Sequence, residues 1–309
     1  MAGGAKYDGI SVEAGDADVL RRWKRFLDHD AFKHRPLTVL FRGFVWSLCV
    51  LAGRSPVFRL TPGGSRMRVE PNMLYTSISA FVWRDWVEPE LRHLDQFLGA
   101  GDVFVDIGAN IGLFSLRAAK LVGPSGRVLA VEPGRETAER LARNLALNHY
   151  PHVEQIPVAL SDREGVALLH HVMLGGDSQA FSLLDYGEGD VAAEEVQCRT
   201  LDGVVAQFGL TRLDCIKIDV EGAEPLVLKG GAETLSRLRP IIIFEVNTVA
   251  VQGDDAARTA AWDVLAGFGY RFYRMADREL RQQTELSRAF GNVVAIHPEG
   301  VQPRRAEGR

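Results

Sequence analysis

At 309 residues, with 46 % apolar and 25 % charged side chains, the chain has the make-up of a globular protein with a sizeable core, which excludes disordered and fibrous classes. A formal net charge of −4 gives no electrostatic reason to bind a polyanion, so nucleic acid is not an expected partner. Cys49, Cys198 and Cys215 lie far apart, in no CxxC or Cys/His spacing, which argues against a structural zinc or a disulfide framework.

The opening stretch MAGGAKYDGISVEAGD has no apolar core of the kind a signal peptide needs, so the expected compartment is the cytoplasm. From about Asp16 to Arg54 the pattern predicts two helices parted near Pro36. The second contains LTVLFRGFVWSLCVLAG, Leu37 to Gly53, interrupted only by Arg42. A bilayer crossing would set Arg42 in hydrocarbon at a cost of roughly 2.5 to 3.5 kcal/mol, and the run is short for a span. Residues 20–59 carry nine Lys or Arg against Asp28 and Asp30, a local net of +7. This segment is therefore expected to pack on the main domain or a second subunit, with peripheral contact to an anionic membrane as the other reading.

VFRLTPGGSRMRVEPN, residues 57–72, predicts two short strands turned at Pro62, Gly63 and Gly64. In RDWVEPELRHLDQFL, residues 84–98, the apolar spacing of Trp86, Val87, Leu91, Leu94, Phe97 and Leu98 predicts an amphipathic helix starting near Pro89.

After Gly101, buried strands alternate with helices, the signature of an α/β protein whose parallel sheet is covered on both faces. Strands are expected at 103–107, 127–131, 153–158, 214–218 and 240–246, and helices at 112–122, 135–148, 201–208, 223–229 and 256–267. Further strand-like runs surround the loop GGDSQAFS within 165–200. YRFYRM (270–275) and NVVAIH (292–297) predict two last strands joined by a polar segment. The organisation expected is an N-terminal helical and small β extension over 1–73, a main domain over 74–300 and a flexible tail over 301–309.

Residues 103–132 carry the order of a nucleoside-cofactor site. A strand, VFVD, meets a turn containing Gly108, Asn110 and Gly112, where absent side chains let the ligand and the next helix approach. Asp106 sets a carboxylate at the strand end, which attracts an ammonium but repels a pyrophosphate. The second strand ends at Glu132 and Pro133, where an acid accepts hydrogen bonds from both ribose hydroxyls. An NAD site needs GxGxxG, and Asn110 and Leu113 stand at its second and third glycine positions. S-adenosylmethionine is therefore the expected cofactor, with an NAD-dependent oxidoreductase the weaker reading. Ser161 and Asp162, in VALSDREG, sit where a side chain or amide pairs with an adenine edge, or form an ordinary turn. Glu88, before Pro89, is a further candidate for closing over the cofactor.

Methyl transfer needs an acceptor held in line and its proton removed. The fourth strand leads into Lys217, Asp219 and Glu221 and the fifth into Glu245 and Asn247. Alternation places Lys217, Asp219 and Glu221 on one face. Asp219 or Glu221 is the candidate base, with Lys217 tuning or orienting it and Glu245 close by; the competing reading is a structural Lys/Asp ion pair. Asp219, Glu245 and Asn247 also form an oxygen-donor set suited to Mg²⁺. His149, His152, His170 and His171 are lesser candidates for the base. Ser178, Ser182 and Asn247 are candidate acceptor-pocket residues.

On GDVFVDIGANIG (101–112), LAVEP (129–133), VALSDREG (158–165), TLD (200–202), DCIKIDVEGAEPLVLKGG (214–231) and RPIIIFEVN (239–247), the chain resembles the FkbM-type family of class I S-adenosylmethionine-dependent methyltransferases over about residues 74–297. The resemblance implies a Rossmann-like sheet of seven strands, parallel except for one in the last pair, with helices on both faces. It also implies O-methylation of small molecules, typically hydroxyls on sugars, glycolipids or secondary metabolites. It leaves the acceptor open. No Asn/Asp-Pro-Pro-aromatic loop follows the fourth strand and no Pro-Cys setting occurs, which argues against nucleic-acid methylation. The remaining alternative is a noncatalytic cofactor-binding or membrane-associated scaffold.

Overall fold

A computed structural model describes residues 24, 26–71, 74–174, 177–183, 193–246, 255–286 and 291–304. The centre of the main sheet is built from short, largely apolar runs. These are β3 (Val103–Ile107), β4 (Arg127–Val131), β10 (Cys215–Ile218) and β11 (Ile241–Val246), buried along almost their whole length. Strands so rich in Val, Ile and Leu need cover on both faces, which parallel crossovers provide. With β5 (Val153–Ile156) they pair in parallel in the order β5-β4-β3-β10-β11. The chain winds outward from β3 to β5 and returns to the other side of β3 as β10. The strand order thus reverses between β3 and β10, where a crevice opens at their carboxyl ends.

Beyond β11 the sheet continues through β14 (Gly291–Ile296), β12 (Arg271–Ala276) and β13 (Glu279–Gln283), each paired antiparallel to its neighbour. Seven strands follow the expected arrangement; β13 makes the sheet eight-stranded, because the polar segment after β12 folds back as a hairpin along the edge. The expected strand 153–158 is also shorter. β5 ends at Ile156, and β6 (Ala159–Leu160) joins a second, four-stranded sheet with β7 (Gly165–Leu174), β8 (Asp177–Ser182) and β9 (Ala193–Arg199), in the order β6-β9-β7-β8.

Helices α7 (Leu201–Gln207), α8 (Glu224–Lys229), α9 (Ala232–Leu238) and α10 (Asp255–Gly267) supply Val204, Val227, Leu235 and Leu265 to one face of the main sheet. Helix α5 (Leu113–Val122) and residues 84–98 cover the other through Phe114, Ala118, Leu91, Leu94 and Phe97. Helix α6 (Arg135–Ala146) follows β4. The TLD segment is structural. The Thr200 hydroxyl accepts from Gly203 N–H (3.0 Å) to cap α7, and the Asp202 carboxylate caps α9 through Glu233 N–H (3.0 Å) and Thr234 N–H (2.8 Å). The sequence contained no strong start signal for α9 ahead of Ala232, because its cap arrives from a residue thirty positions away.

Residues 84–98 bury the expected apolar positions without forming the expected helix. A 3₁₀ turn at Arg84–Trp86, helix α4 (Pro89–Arg92) and a second 3₁₀ turn at Leu94–Gln96 replace it. Glu88 is extended (φ −138°, ψ 141°), as a residue before proline prefers, and Arg84 is left-handed (φ 62°).

The N-terminal region comprises α1 (Asp30–His34), α2 (Pro36–Leu51), the hairpin β1 (Val57–Arg59) with β2 (Arg66–Arg68), and α3 (Leu74–Val82). Val39, Trp46, Phe58, Met67 and Phe81 form one cluster with Ile111 and Leu116, so this region shares apolar core with the turn after β3 and the helix that follows it. Two amides one turn apart on α6 and just beyond it complete the edge of β2. Asn144 Oδ1 accepts from Arg68 N–H (2.8 Å), and Asn148 Oδ1 from Arg66 N–H (2.6 Å). At the other end, Val301 packs against the core. Arg304 pairs with Asp102 (2.6 Å), so 301–304 belong to the folded body and not to the expected tail.

Candidate functional site

The crevice at the carboxyl ends of β3, β4 and β10 holds a cavity lined by Gly108, Asn110, Glu132, Pro133, Asp219 and Glu221, with Val158, Leu169 and Leu183 closing one side. It brings together residues from three widely separated parts of the chain at the point where the strand order reverses.

The β3 turn is shaped by crowding. Gly108 (φ 79°) lies so close to the next loop that a Cβ would stand 1.8 Å from the Asp219 carbonyl oxygen. At Gly112 (φ 97°) a Cβ would meet Leu141 of α6 at 2.7 Å. Both glycines thus permit close packing of protein on protein, and Gly108 also lines the cavity. Asn110 is left-handed (φ 48°), and its Oδ1 is buried with no hydrogen-bond partner. A buried acceptor without a donor costs about 1–3 kcal/mol, and in a cavity wall it is matched by a ligand that donates a hydrogen bond.

Glu132 is almost wholly buried. Its Oε2 accepts from Asn110 N–H (2.8 Å), and its Oε1 from Gly134 N–H (3.0 Å) and the Thr137 hydroxyl (2.7 Å). Burial raises its pKa, against the lowering pull of those three bonds. The carboxylate therefore ties the β3 turn to the turn after β4, and its Oε2, which accepts one bond where Oε1 accepts two, retains a lone pair for a ligand hydroxyl.

Asp106 lies behind the cavity wall. Its carboxyl accepts from the Ser115 hydroxyl of α5 (2.5 Å), and burial pushes its pKa up to about 7. In the sheet it stands beside Lys217. The Lys217 ammonium is fully buried, 3.3 Å from Asp219 Oδ2 and 3.0 Å from Asn292 Oδ1, with its charge 5.3 Å from the centre of the Phe114 ring. Burial alone would lower the Lys217 pKa, but the combined attraction of Asp219, Glu88, Glu245 and Glu90 outweighs it and raises the value.

Asn292, on β14, bridges this group: its amide donates to Glu88 (2.6 Å) and Glu90 (3.1 Å) while its oxygen accepts from Lys217. Burial raises the pKa of both glutamates. Glu88 thus lies in a buried network behind Asp219 and is not among the residues lining the cavity.

β10 ends at Ile218, so strand alternation does not carry Glu221 to the site. The loop turns back at Glu221 (φ 51°), and Glu224 Oε1 holds it by accepting from Val220 N–H (3.0 Å) and Gly222 N–H (3.3 Å). Burial raises Glu224 to about 7. Ligand oxygens of Asp219, Glu221 and Glu245 come within 4.8 Å of one another. Burial, followed by the Asp219 charge, pushes Glu245 well above the ordinary carboxyl range. Burial and the neighbouring Asp219 charge thus favour the protonated form of Glu245, which can donate a hydrogen bond beside Asp219.

The other candidates are placed as follows. Ser161 and Asp162 flank the cavity without lining it; the Ser161 hydroxyl is 3.4 Å from Asp162, and its N–H donates to Arg199 O (2.9 Å). Ser178 and Ser182 belong to β8, whose side chains lie outside the description, as does Asn247 altogether. His152 Nε2 donates to the α5 backbone at Ala119 O (2.9 Å), away from the cavity. Glu90, Ser115, Glu224 and Asn292 were not singled out in the sequence. Glu224 falls inside the quoted DVEGAEPL segment, whereas Asn292 carries no local signal and becomes visible only through the β11–β14 pairing.

A model of the methyltransferase FkbM domain family matches residues 106–272, more than half of the chain and all of the cavity's polar residues. Among curated proteins, the antimetabolite synthetase AmbE of Pseudomonas aeruginosa is 33 % identical over 198 residues, 53 % of this chain and 9 % of that protein. Methyltransferase sdnD of Sordaria araneosa is 32 % identical over 160 residues, covering 43 % of this chain and 61 % of sdnD. The 2-O-methyltransferase NoeI of Sinorhizobium fredii is 30 % identical over 181 residues, 54 % of this chain and 72 % of that one. The matched part thus spans less than two thirds of the first two relatives and nearly three quarters of the third.

Proposed function

This chain belongs to the FkbM methyltransferase family, and from that premise we propose that it transfers a methyl group from S-adenosylmethionine to a hydroxyl of a small molecule such as a sugar, glycolipid or secondary metabolite. The observation that carries the reading is the cavity wall itself. An unpartnered Asn110 oxygen and the Glu132 carboxylate line it together with the Asp219 and Glu221 carboxylates. The first pair suits the hydroxyls and amino group of a nucleoside, the second a positively charged centre.

S-adenosylmethionine, when bound, supplies an electrophilic methyl group on a sulfonium. The protein's part is positioning and proton removal. Glu132 and Asn110 would hold the nucleoside. Asp219 and Glu221 are the two carboxylates proposed to take the acceptor proton. Lys217, immobilised by Asn292, would orient Asp219 through their 3.3 Å contact. A protonated Glu245 would donate to Asp219 and so fix its second oxygen.

The test is transfer of labelled methyl from S-adenosylmethionine to a panel of hydroxylated saccharides and metabolites, with the methyl ether identified by mass. Asp219→Asn and Glu221→Gln are compared with the parent at equal cofactor affinity. We expect kcat to fall by roughly 10² to 10⁴ in the variant that removes the base. Unchanged turnover in both would remove these residues from the reaction.

A cation-assisted form of the same reading is favoured by the Asp219, Glu221 and Glu245 cluster, whose hard oxygen donors suit Mg²⁺. It predicts activity lost in EDTA and restored by Mg²⁺. Full activity in EDTA assigns the cluster to proton transfer alone.

A further inference from the structure

The outer side of α2 has no role in the fold or in the proposed chemistry. Its inner side buries Val39 and Trp46. On the opposite side, Leu37, Leu40, Phe41, Phe44, Leu48 and Leu51 are each between 49 and 84 % exposed. At about 100° per residue these six fall in one stripe roughly 100° wide and ~21 Å long. A continuous exposed apolar surface of this kind marks an interaction site, unlike apolar residues scattered singly.

The surrounding charges say what covers it. The sequence of α2 contains no acid, and its one charge, Arg42, is turned inward to donate to Val82 O (3.1 Å). Exposed Lys33 and Arg35 precede the helix, and exposed Arg54 and Arg59 follow it. Over residues 26–68 the acids are Asp28 and Asp30, and Asp30 sits 3.7 Å from Lys33. Both ends of the stripe are therefore basic. If two copies met through it, cations would face cations whether the helices ran parallel or antiparallel. An anionic lipid leaflet presents the complement of both features, acyl chains for the stripe and phosphates for its ends. The helix is too short to cross: its 16 residues extend ~24 Å against a hydrocarbon core of ~30 Å. No helix among the described residues is long and apolar enough to span a membrane.

We propose that α2 is an in-plane anchor that seats this chain on an anionic lipid surface, with Leu37, Leu40, Phe41, Phe44, Leu48 and Leu51 entering the acyl boundary and Lys33, Arg35, Arg54 and Arg59 meeting headgroup phosphates. None of these residues lines the cavity, so the inference stands apart from the proposed methyl transfer.

The experiment is flotation of the full chain with phosphatidylcholine vesicles, with and without phosphatidylglycerol, together with light scattering of the protein alone. The chain should float with the phosphatidylglycerol vesicles and be released by salt. Phe41→Asp combined with Phe44→Asp should weaken binding about tenfold or more. Those side chains are exposed, so the thermal midpoint should stay in place. Arg35→Glu with Arg54→Glu should reduce binding to the level seen on phosphatidylcholine alone. Failure to float with either vesicle would overturn the proposal, as would equal binding by the phenylalanine variant. So would a dimer of the parent that the phenylalanine variant converts to monomer, since the stripe would then belong to a second copy.

Discussion

Asp106 and Lys217 stand side by side on adjacent strands, and both pKa values are raised, Asp106 by burial and Lys217 by surrounding carboxylates that outweigh burial. Lys217 is surrounded by carboxylates and keeps its proton. Asp106 is served mainly by a neutral hydroxyl, and its pKa rises to about 7. The folded Asp106 therefore binds a proton up to about pH 7, whereas the unfolded chain releases it near pH 4. Between those limits the native state holds more protons, so this residue makes stability fall as pH rises from about 4 to about 7 and then level off. The full shift corresponds to at most ~4 kcal/mol. Asp106→Asn removes this dependence. In urea titrations the variant should be more stable than the parent at pH 8, and the difference should shrink towards pH 5. A constant difference across that range would mean that Asp106 is already ionised in the fold.

The loops at the ends of β3 and β10 are one packed unit, and Gly108 is where they touch. A methyl group there would meet the Asp219 carbonyl at 1.8 Å on a backbone already at φ 79°. Gly123 has a similar φ of 62° and nothing within 4 Å. Gly123→Ala, at φ 62° and ψ −173°, should cost only the strain of that glycine-favouring backbone conformation, about 1–3 kcal/mol. Gly108→Ala should exceed it clearly in the urea midpoint and weaken cofactor binding with it, because Asp219 must move. Equal costs would show that the loops yield without strain.

The same unit explains what could be read from the sequence. The strands, the glycine turn and Glu132 stand in one segment, from Val103 to Glu132, so this part of the cavity wall was legible. The support behind it was not. Asn292 reaches Lys217 across an antiparallel pairing, and Asp202 caps α9 from another helix. The broken helix at 84–98 has the right apolar spacing, but the extended Glu88 before Pro89 and the left-handed Arg84 override it. Asp219 and Glu221 were named for the right neighbourhood by the wrong geometry: a turn at Glu221 unites them, not strand alternation.

At the level of the whole molecule, the α/β sheet supplies a crevice where its strand order reverses, and the N-terminal region braces the turn that lines it. Ile111 and Leu116, next to Asn110 and Gly112, are packed by Val39, Trp46 and Phe81. The second sheet closes the opposite side through Leu169 and Leu183. Polar groups suited to a nucleoside and carboxylates suited to a cation thus line one cavity, and the proposed function rests on this pairing to favour S-adenosylmethionine over a dinucleotide whose pyrophosphate the acids would repel. Isothermal titration of the full chain with S-adenosylmethionine and with NAD, repeated on Glu132→Ala, tests that pairing most directly. The account predicts saturable binding of S-adenosylmethionine, lost or weakened about tenfold or more in the variant as ribose hydrogen bonds disappear, and no binding of NAD. Binding of NAD without S-adenosylmethionine would contradict it.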